Sequence, residues 1–316
     1  MTKARSMLSL AEDYLTERRR LGFELTISGA QLKAFARFVD ESGHTGPLTT
    51  EVVLNWVQGR ARHATPRAWA VRLDVLRPFA KYLMRLDPLT EFPLTAIFGK
   101  SRRRRAPHIY THQEIVGLLA AARRLGPSGT LRPATYEAML GLIAAAGLRK
   151  SEALHLRCGD LDIHRRVLTI RKTKFRKTRL VPLHTTTVDA LKSYLGVRAR
   201  YGSTRPEAPL FLSSSGGELR QRTVQSVFAK LRDELGLIAR GGYDAVRIHD
   251  LRHSFICRRV RLWQEQGANI DNAIAALSTY VGHAKISDTY WYLTGVPDLM
   301  AVAGKHFELF AEGHHG

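Results

Sequence analysis

The residue types best suited to chemistry in this chain fall in four separate stretches. Residues 281–295, VGHAKISDTYWYLTG, place Tyr290 and Tyr292 seven and nine residues after His283. A phenol with an ordinary pKa of about 10 is a poor nucleophile at neutral pH unless a base or a positive field favours its oxyanion. In RIHDLRHSF, His249 and Arg252 are three residues apart and share a helix face, with His253 four residues after His249. In AAAGLRKSEALHL, Glu152 follows Arg149 by three, so on a helix the carboxylate orients the guanidinium; an ordinary surface ion pair has the same spacing. TKFRKTRLVPL sets Lys172, Lys174, Arg176, Lys177 and Arg179 around a basic turn, where a lysine reaches a phosphodiester or its leaving oxygen.

Separately, each cluster also reads as ordinary structure: an aromatic helix filling a core, a surface ion pair, a nonspecific phosphate contact. Converging on one tyrosine, they describe phosphoryl transfer. Arginine's fork holds two phosphate oxygens at once, and the same cations stabilise the charge that develops in the transition state. Such a set replaces the metal ions that many phosphoryl-transfer enzymes use. His249 and His253 have the spacing of a zinc pair, but no HExxH arrangement and no further ligand cluster accompany them. The sequence therefore predicts no metal and no cofactor.

The elements that must position these groups are mainly helical. Apolar spacing predicts helices over 6–23, 28–42, 49–60 and 66–85, the last starting at Thr65-Pro66. Arg67, Arg72 and Lys81 lie on that last helix, either as a DNA-facing set or as a solvated face. The stretch GKSRRRRAPHIYTHQEI follows, and Arg102, Arg103, Arg104 and Arg105 beside a proline favour an extended chain, best read as a strap on a phosphate backbone. After Thr111 the pattern is helical again: LLAAARRLG, TYEAMLGLIAAAGLRKSEALHL, 185–200, 221–235, 249–266 and 270–280. RVLTIRKTKFRKTRLVPLH alternates β-branched and basic residues and predicts a hairpin, and PLFLS a short strand. The reading is a mainly α protein: a helical unit over 1–98, a basic linker over 99–108, and an α+β unit over 109–316 with a small antiparallel sheet and a C-terminal tail helix.

Composition narrows the partner. The chain has 49 Lys and Arg against 28 Asp and Glu, a net charge of +21. Residues 1–100 hold 15 basic and 10 acidic residues, and residues 101–316 hold 34 and 18. Such self-repulsion points to a polyanion, and the spread of charge over the whole fold favours double-stranded DNA over a membrane surface. No apolar run approaches the roughly 20 residues of a membrane-spanning helix, and the N-terminus has no signal-peptide core. The two cysteines, Cys158 and Cys257, lack metal-ligand spacing and suit a reducing cytoplasm.

Taken in order, Arg149 in GLRKSE, Lys174 on the hairpin before RLVPL, HDLRH, VGH and a final tyrosine resemble the tyrosine recombinases, the phage-integrase-type family that includes the Xer-type site-specific recombinases. The resemblance spans most of residues 107–300, and the N-terminal helices are similar to that family's SAM-like core-binding domain. It implies DNA cutting and rejoining through a 3′-phosphotyrosyl link. Tyr292, nine residues after His283, is then the nucleophile, with Tyr290 the alternative. Lys174, eight residues before Pro182, is the general acid, with Lys172 the fallback. Arg149 and Arg252 hold the phosphate, His283 hydrogen-bonds it, His249 assists proton transfer to and from the tyrosine, and Glu152 orients Arg149. Arg67, Arg72, Lys81, Arg102, Arg103, Arg104, Arg105, Lys172, Arg176 and Lys177 contact DNA.

The resemblance further implies a tetramer on paired recombination sites, with related recombinases or accessory proteins as further partners, and a role for a mobile element, in integration or transposition. One departure stands out: the stretch RLWQEQGANIDNAIAALSTY makes the chain longer between Arg252 and His283 than in compact relatives. The rival readings are a type IB topoisomerase or telomere-resolvase-like enzyme, and a DNA-binding accessory protein without catalysis.

Overall fold

The computed structural model describes residues 5–59, 65–93, 97–99, 104–127, 129–171 and 178–295. It divides into two compact units, Met1–Arg104 and Arg105–Gly316. The first unit is four helices: α1 (Met7–Arg20), α2 (Thr26–Glu41), α3 (Thr50–Gly59) and α4 (Pro66–Leu86). Their starts follow from local chemistry. The Thr65 hydroxyl accepts from the Ala68 amide, with Pro66 at the first helical position. Asp40 accepts from the Met7 and Leu8 amides at 2.7 and 3.0 Å, so a carboxylate meets the positive end of α1. The apolar faces close on a core that includes Leu15, Leu32, Phe35, Trp56, Leu76 and Phe79.

The second unit is built on α5 (His112–Arg123), α6 (Leu131–Ala146), α7 (Lys150–Leu154), α8 (Thr185–Arg198), α9 (Gln221–Glu234), α10 (Ile248–Glu265), α11 (Ile270–Val281) and α12 (Ser287–Gly295). Thr111 starts α5 with a capping box: its hydroxyl accepts from the Glu114 amide while the Glu114 carboxylate accepts from the Thr111 amide. The sheet runs β1 (Leu161–Asp162), β2 (Val167–Ile170) and β3 (Arg179–Pro182), antiparallel throughout, with Leu168 opposite Val181. The expected hairpin is therefore present as β2 and β3. Its tip, with Lys172, Lys174, Arg176 and Lys177, lies outside the described residues, as do Arg102, Arg103 and the C-terminal tail.

Two local expectations are revised. PLFLS forms only isolated bridges, Arg157 with Pro209 and Leu212 with Glu218, its backbone bonds divided between two short stretches on either side, 156–158 and 217–218. The run read as one helix over 135–156 breaks at Gly147 into α6 and α7. The longer stretch between Arg252 and His283 folds as the end of α10, a turn through Gly267 at φ +66°, and α11. α10 packs against α6, α11 and α12, and this places its N-terminal residues beside the turn that follows α11.

Candidate active site

Three helix junctions, far apart in sequence, supply the described candidates. Arg149 stands just before α7 with extended backbone (φ -70°, ψ 145°), not within a helix as its spacing to Glu152 suggests. The cause is Gly147, which ends α6 at φ +62°; a Cβ there would lie 2.4 Å from the Phe255 ring, so the turn and the packing both require glycine. Glu152 then reaches back to accept from the Arg149 amide at 2.9 Å and from its Nη1 at 2.7 Å.

The same carboxylate holds more than one arginine. Arg179, on β3, donates Nη1 to Oε1 at 2.9 Å and Nη2 to Oε2 at 2.8 Å, a fork-on-carboxylate pairing. Arg252 Nη1 stands 4.0 Å from Glu152 Oε2. Burial pushes the Glu152 carboxyl up, but the Arg179 hydrogen bonds and the nearby arginine charges outweigh it and hold the pKa at about 2. Sequence spacing links Glu152 to Arg149 alone; the structure makes it the anchor of an arginine cluster.

Backbone carbonyls at helix ends fix the rest. Arg252 is 1% exposed, and its Nη1 and Nη2 each donate at 2.8 Å, to the carbonyls of Gly147 and Val281. Arg149 Nη2 donates to the Gly282 carbonyl at 2.7 Å, and Arg179 Nε to that of Tyr280 at 2.9 Å. Gly282 closes α11 at φ +70°, and a Cβ there would meet the Arg179 guanidinium at 2.8 Å. These carbonyls are ends that a helix cannot satisfy by itself, and here cations satisfy them. Burial first, then the Arg149 charge, brings the Arg252 pKa down to about 9, which leaves it a cation at neutral pH.

The histidines lie beside this cluster and are neutral. His249 is reached by solvent, and surrounding protein together with Arg252, Arg247 and Arg149 lowers its pKa. His283 is lowered to about 3 by burial, then by Arg252 and Arg149; its Nδ1 is 2.6 Å from the hydroxyl of fully buried Thr289. Tyr292 is 3% exposed, and its hydroxyl lies 2.5 Å from His253 Nδ1. Its ring is stacked over that of His283, with centroids 6.3 Å apart. Tyr290, by contrast, donates its hydroxyl to Asp271 Oδ1 at 2.7 Å at the surface. The aromatic-core reading of this stretch is thus also realised, since Tyr292 packs with Phe255, Ile256, Val260 and Val281.

Of the DNA-contact candidates, Arg67 and Lys81 are exposed on α4, while Arg72 donates to the Val57 carbonyl at 3.0 Å. Arg104 is exposed, and Arg105 donates to the Gly242 carbonyl at 3.0 Å. Two residues close to the cluster carry a different meaning in the sequence alone: His253 is a zinc-pair candidate, Arg179 a hairpin phosphate contact. The four-residue spacing from His249 puts His253 on the right face of α10, but no sequence signal joins it to a residue 39 positions away. Arg149 and His249 open onto a cleft of about 560 Å³ that Lys150, Gln225, Arg232 and Arg247 also line.

A cluster of arginines on one carboxylate, with Arg149 and His249 opening onto a basic cleft and neutral histidines and a buried tyrosine beside it, is equipped to work on phosphodiesters. Comparison with known proteins gives the class. Residues 109–295 match the Phage integrase family. The putative integrase/recombinase y4rB of Sinorhizobium fredii is 38% identical over 303 residues, 94% of this chain and 95% of that protein. Tyrosine recombinase XerC of Methylobacterium nodulans is 32% identical over 292 residues, 88% of this chain and 84% of that one. The solved Tn1549 transposon integrase in complex with transposon right end DNA shares the fold at a TM-score of 0.69 and 16% identity, over 97% of this chain and 100% of that one. The chain belongs to the phage integrase family, and it is a tyrosine recombinase that acts in site-specific DNA recombination. The mainly α fold with a small antiparallel sheet is the one the sequence predicts.

Proposed function

We propose that this enzyme attacks the scissile phosphate of a recombination site with Tyr292, forming a 3′-phosphotyrosyl link and releasing a 5′-hydroxyl. The observation that carries this reading is the gathering of Tyr292, Arg149, Arg252, His249 and His283 from three junctions spread over more than 140 residues. Arg149 and Arg252 bind the non-bridging oxygens, with Glu152 holding their guanidiniums in place. His283 hydrogen-bonds the phosphate, His249 stands at the solvent side to assist proton movement, and Lys174 protonates the leaving 5′-oxygen. The bond energy is kept in the protein–DNA link, so a 5′-hydroxyl from a partner strand reverses the step on another duplex.

The unit Met1–Arg104 acts as the core-binding half, with Arg67, Arg72 and Lys81 on DNA phosphates, and the arginines of 102–105 as a strap. Four protomers assemble on two paired sites in the cytoplasm, the C-terminal tail docking on a neighbouring protomer. The integrase/recombinase and transposon-integrase relatives favour service to a mobile element.

Covalent capture on nicked suicide DNA carrying the ends of the element that encodes the protein tests the chemistry, in EDTA and on a denaturing gel. The expected result is an adduct in wild type and in Tyr290→Phe, and none in Tyr292→Phe. Loss only in Tyr290→Phe would overturn the assignment of the nucleophile. Tight binding with no wild-type adduct would favour the DNA-binding accessory reading.

A further inference from the structure

The proton that Tyr292 must lose has a place to go. We propose that His253 is a catalytic residue, the general base that takes the Tyr292 hydroxyl proton directly. The inference rests on the reading of Tyr292 as nucleophile and goes beyond it, because it moves the proton from solvent-side His249 to a half-buried residue one turn along α10.

Geometry carries the assignment. His253 Nδ1 and the Tyr292 hydroxyl are 2.5 Å apart, within hydrogen-bond reach of a general base. Tyr292 is 3% exposed, so bulk water is a poor competitor for this proton. The His249 ring meets the His253 ring edge-to-face with centroids 4.7 Å apart, which fixes the orientation of His253 from the solvent side. With the tyrosine donating to Nδ1, the ring proton of neutral His253 sits on Nε2.

The groups around His253 explain how its basicity is set. Burial, then His249, Arg247 and Arg252 on and before α10, then His283 from the α11–α12 turn, bring its pKa down to about 2. In free enzyme the imidazole is therefore neutral and a weak base. A phosphodiester bound by Arg149 and Arg252 brings negative charge next to those cations and shifts His253 toward a stronger base. The nucleophile is thereby activated by the arrival of its substrate. In the forward step the Tyr292 proton passes to His253 Nδ1, the Tyr292 oxygen bonds to phosphorus, the P–O5′ bond breaks, and the 5′-oxygen takes a proton from the general acid. In the reverse step the His253 imidazolium returns the proton to the departing phenol.

The test compares wild type, His253→Asn and His253→Ala in two single-turnover assays. The first is cleavage of the suicide DNA. The second, with Tyr292→Phe present in every protein compared, is ligation of a 5′-hydroxyl strand to DNA bearing a 3′-p-nitrophenyl phosphate, whose nitrophenolate leaves without a proton. Both variants should slow cleavage by about 10²–10⁴-fold and change ligation by less than about threefold. Added imidazole should restore cleavage to His253→Ala, and matched melting curves will show that the variants fold. Cleavage at the wild-type rate in the variants, or equal loss of cleavage and ligation without imidazole rescue, would overturn the assignment. A wild-type adduct that maps away from Tyr292 would instead overturn the reading on which it rests, and the inference with it.

Discussion

The two units handle charge in opposite ways. The described cations of the first unit lie at or near the surface around an apolar core, and the described buried residues there are almost all hydrocarbon or aromatic. Residues 105–295 bury Asp160, Arg198, Asp250 and Arg252, and pair Glu152 with arginines at 7% side-chain exposure. Burying a charge is unfavourable unless it is paired and hydrogen-bonded, so such groups persist where they are satisfied together. Arg198 shows the purely structural version: its three guanidinium nitrogens donate to the carbonyls of Leu210, Ser203 and Pro209 and tie a loop to α8. Buried charge alone therefore does not mark a site. The distinguishing feature of the active-site cluster is cations that share one carboxylate, with one of them, Arg149, bordering a cleft.

That contrast can be broken most severely at Glu152. Glu152→Ala leaves Arg179, Arg252 and Arg149 without their common anion, and should destabilise the second unit by about 3–5 kcal/mol. Denaturant titration read by hydrogen exchange should find that loss in 105–295 and leave the amides of α1–α4 unchanged.

Glycine at positive φ offers a finer comparison. Gly147→Ala meets both backbone strain of about 1–2 kcal/mol and a methyl placed 2.4 Å from the Phe255 ring. Gly43→Ala, at φ +68° with nothing within 4 Å of the added methyl, meets the strain alone. The first should lower the melting temperature more and also slow cleavage, since Arg252 bonds to the Gly147 carbonyl; the second should leave cleavage intact.

Acid should separate the units as well. His253 at about 2 and His283 at about 3, with His249 lowered in the same direction, sit below the ordinary value of about 6.5. Between those values the unfolded chain binds more protons than the folded one, so stability falls as pH falls below about 6.5. Glu152 and Glu114, both at about 2, add a loss of the same sign as pH drops through the ordinary carboxylate range toward 2. Among the described residues the first unit has no comparable histidine cluster. Hydrogen exchange at pH 7 and pH 5 should show the amides of α10–α12 losing protection before those of α1–α4.

The smallest effects belong to the exposed cations of α4. Arg67→Ala and Lys81→Ala should leave melting unchanged, weaken DNA binding similarly for every sequence, and each reduce the salt slope by about one. Unchanged slopes in both would remove α4 from the DNA-facing set. Arg72→Ala should in addition cost about 1 kcal/mol of stability, because its bond to the Val57 carbonyl is lost.

Much of this molecule is local, and the local part is legible. Caps at Thr65 and Thr111, Pro66, apolar periodicity and the basic alternation around 166–184 define helices and a hairpin that the structure contains, because each depends on neighbours a few residues away. The break at Gly147 was less visible, since a glycine inside an apolar run is compatible with a helix until Phe255 packs against it. PLFLS has strand composition but divides its pairing between two short stretches, and composition does not report partners.

The sequence by itself determined the helical architecture, the basic character that calls for DNA, and the ordered set of arginines, histidines and tyrosine. Their types and spacings are properties of the chain. Only the tertiary structure decided that Glu152 binds Arg179 as well as Arg149, that helix-end carbonyls hold Arg252, and that His253 meets Tyr292. Those contacts join residues 27 to 105 positions apart. Periodicity carries no information over such distances; the packing of α6, β3, α10, α11 and α12 on one another sets them.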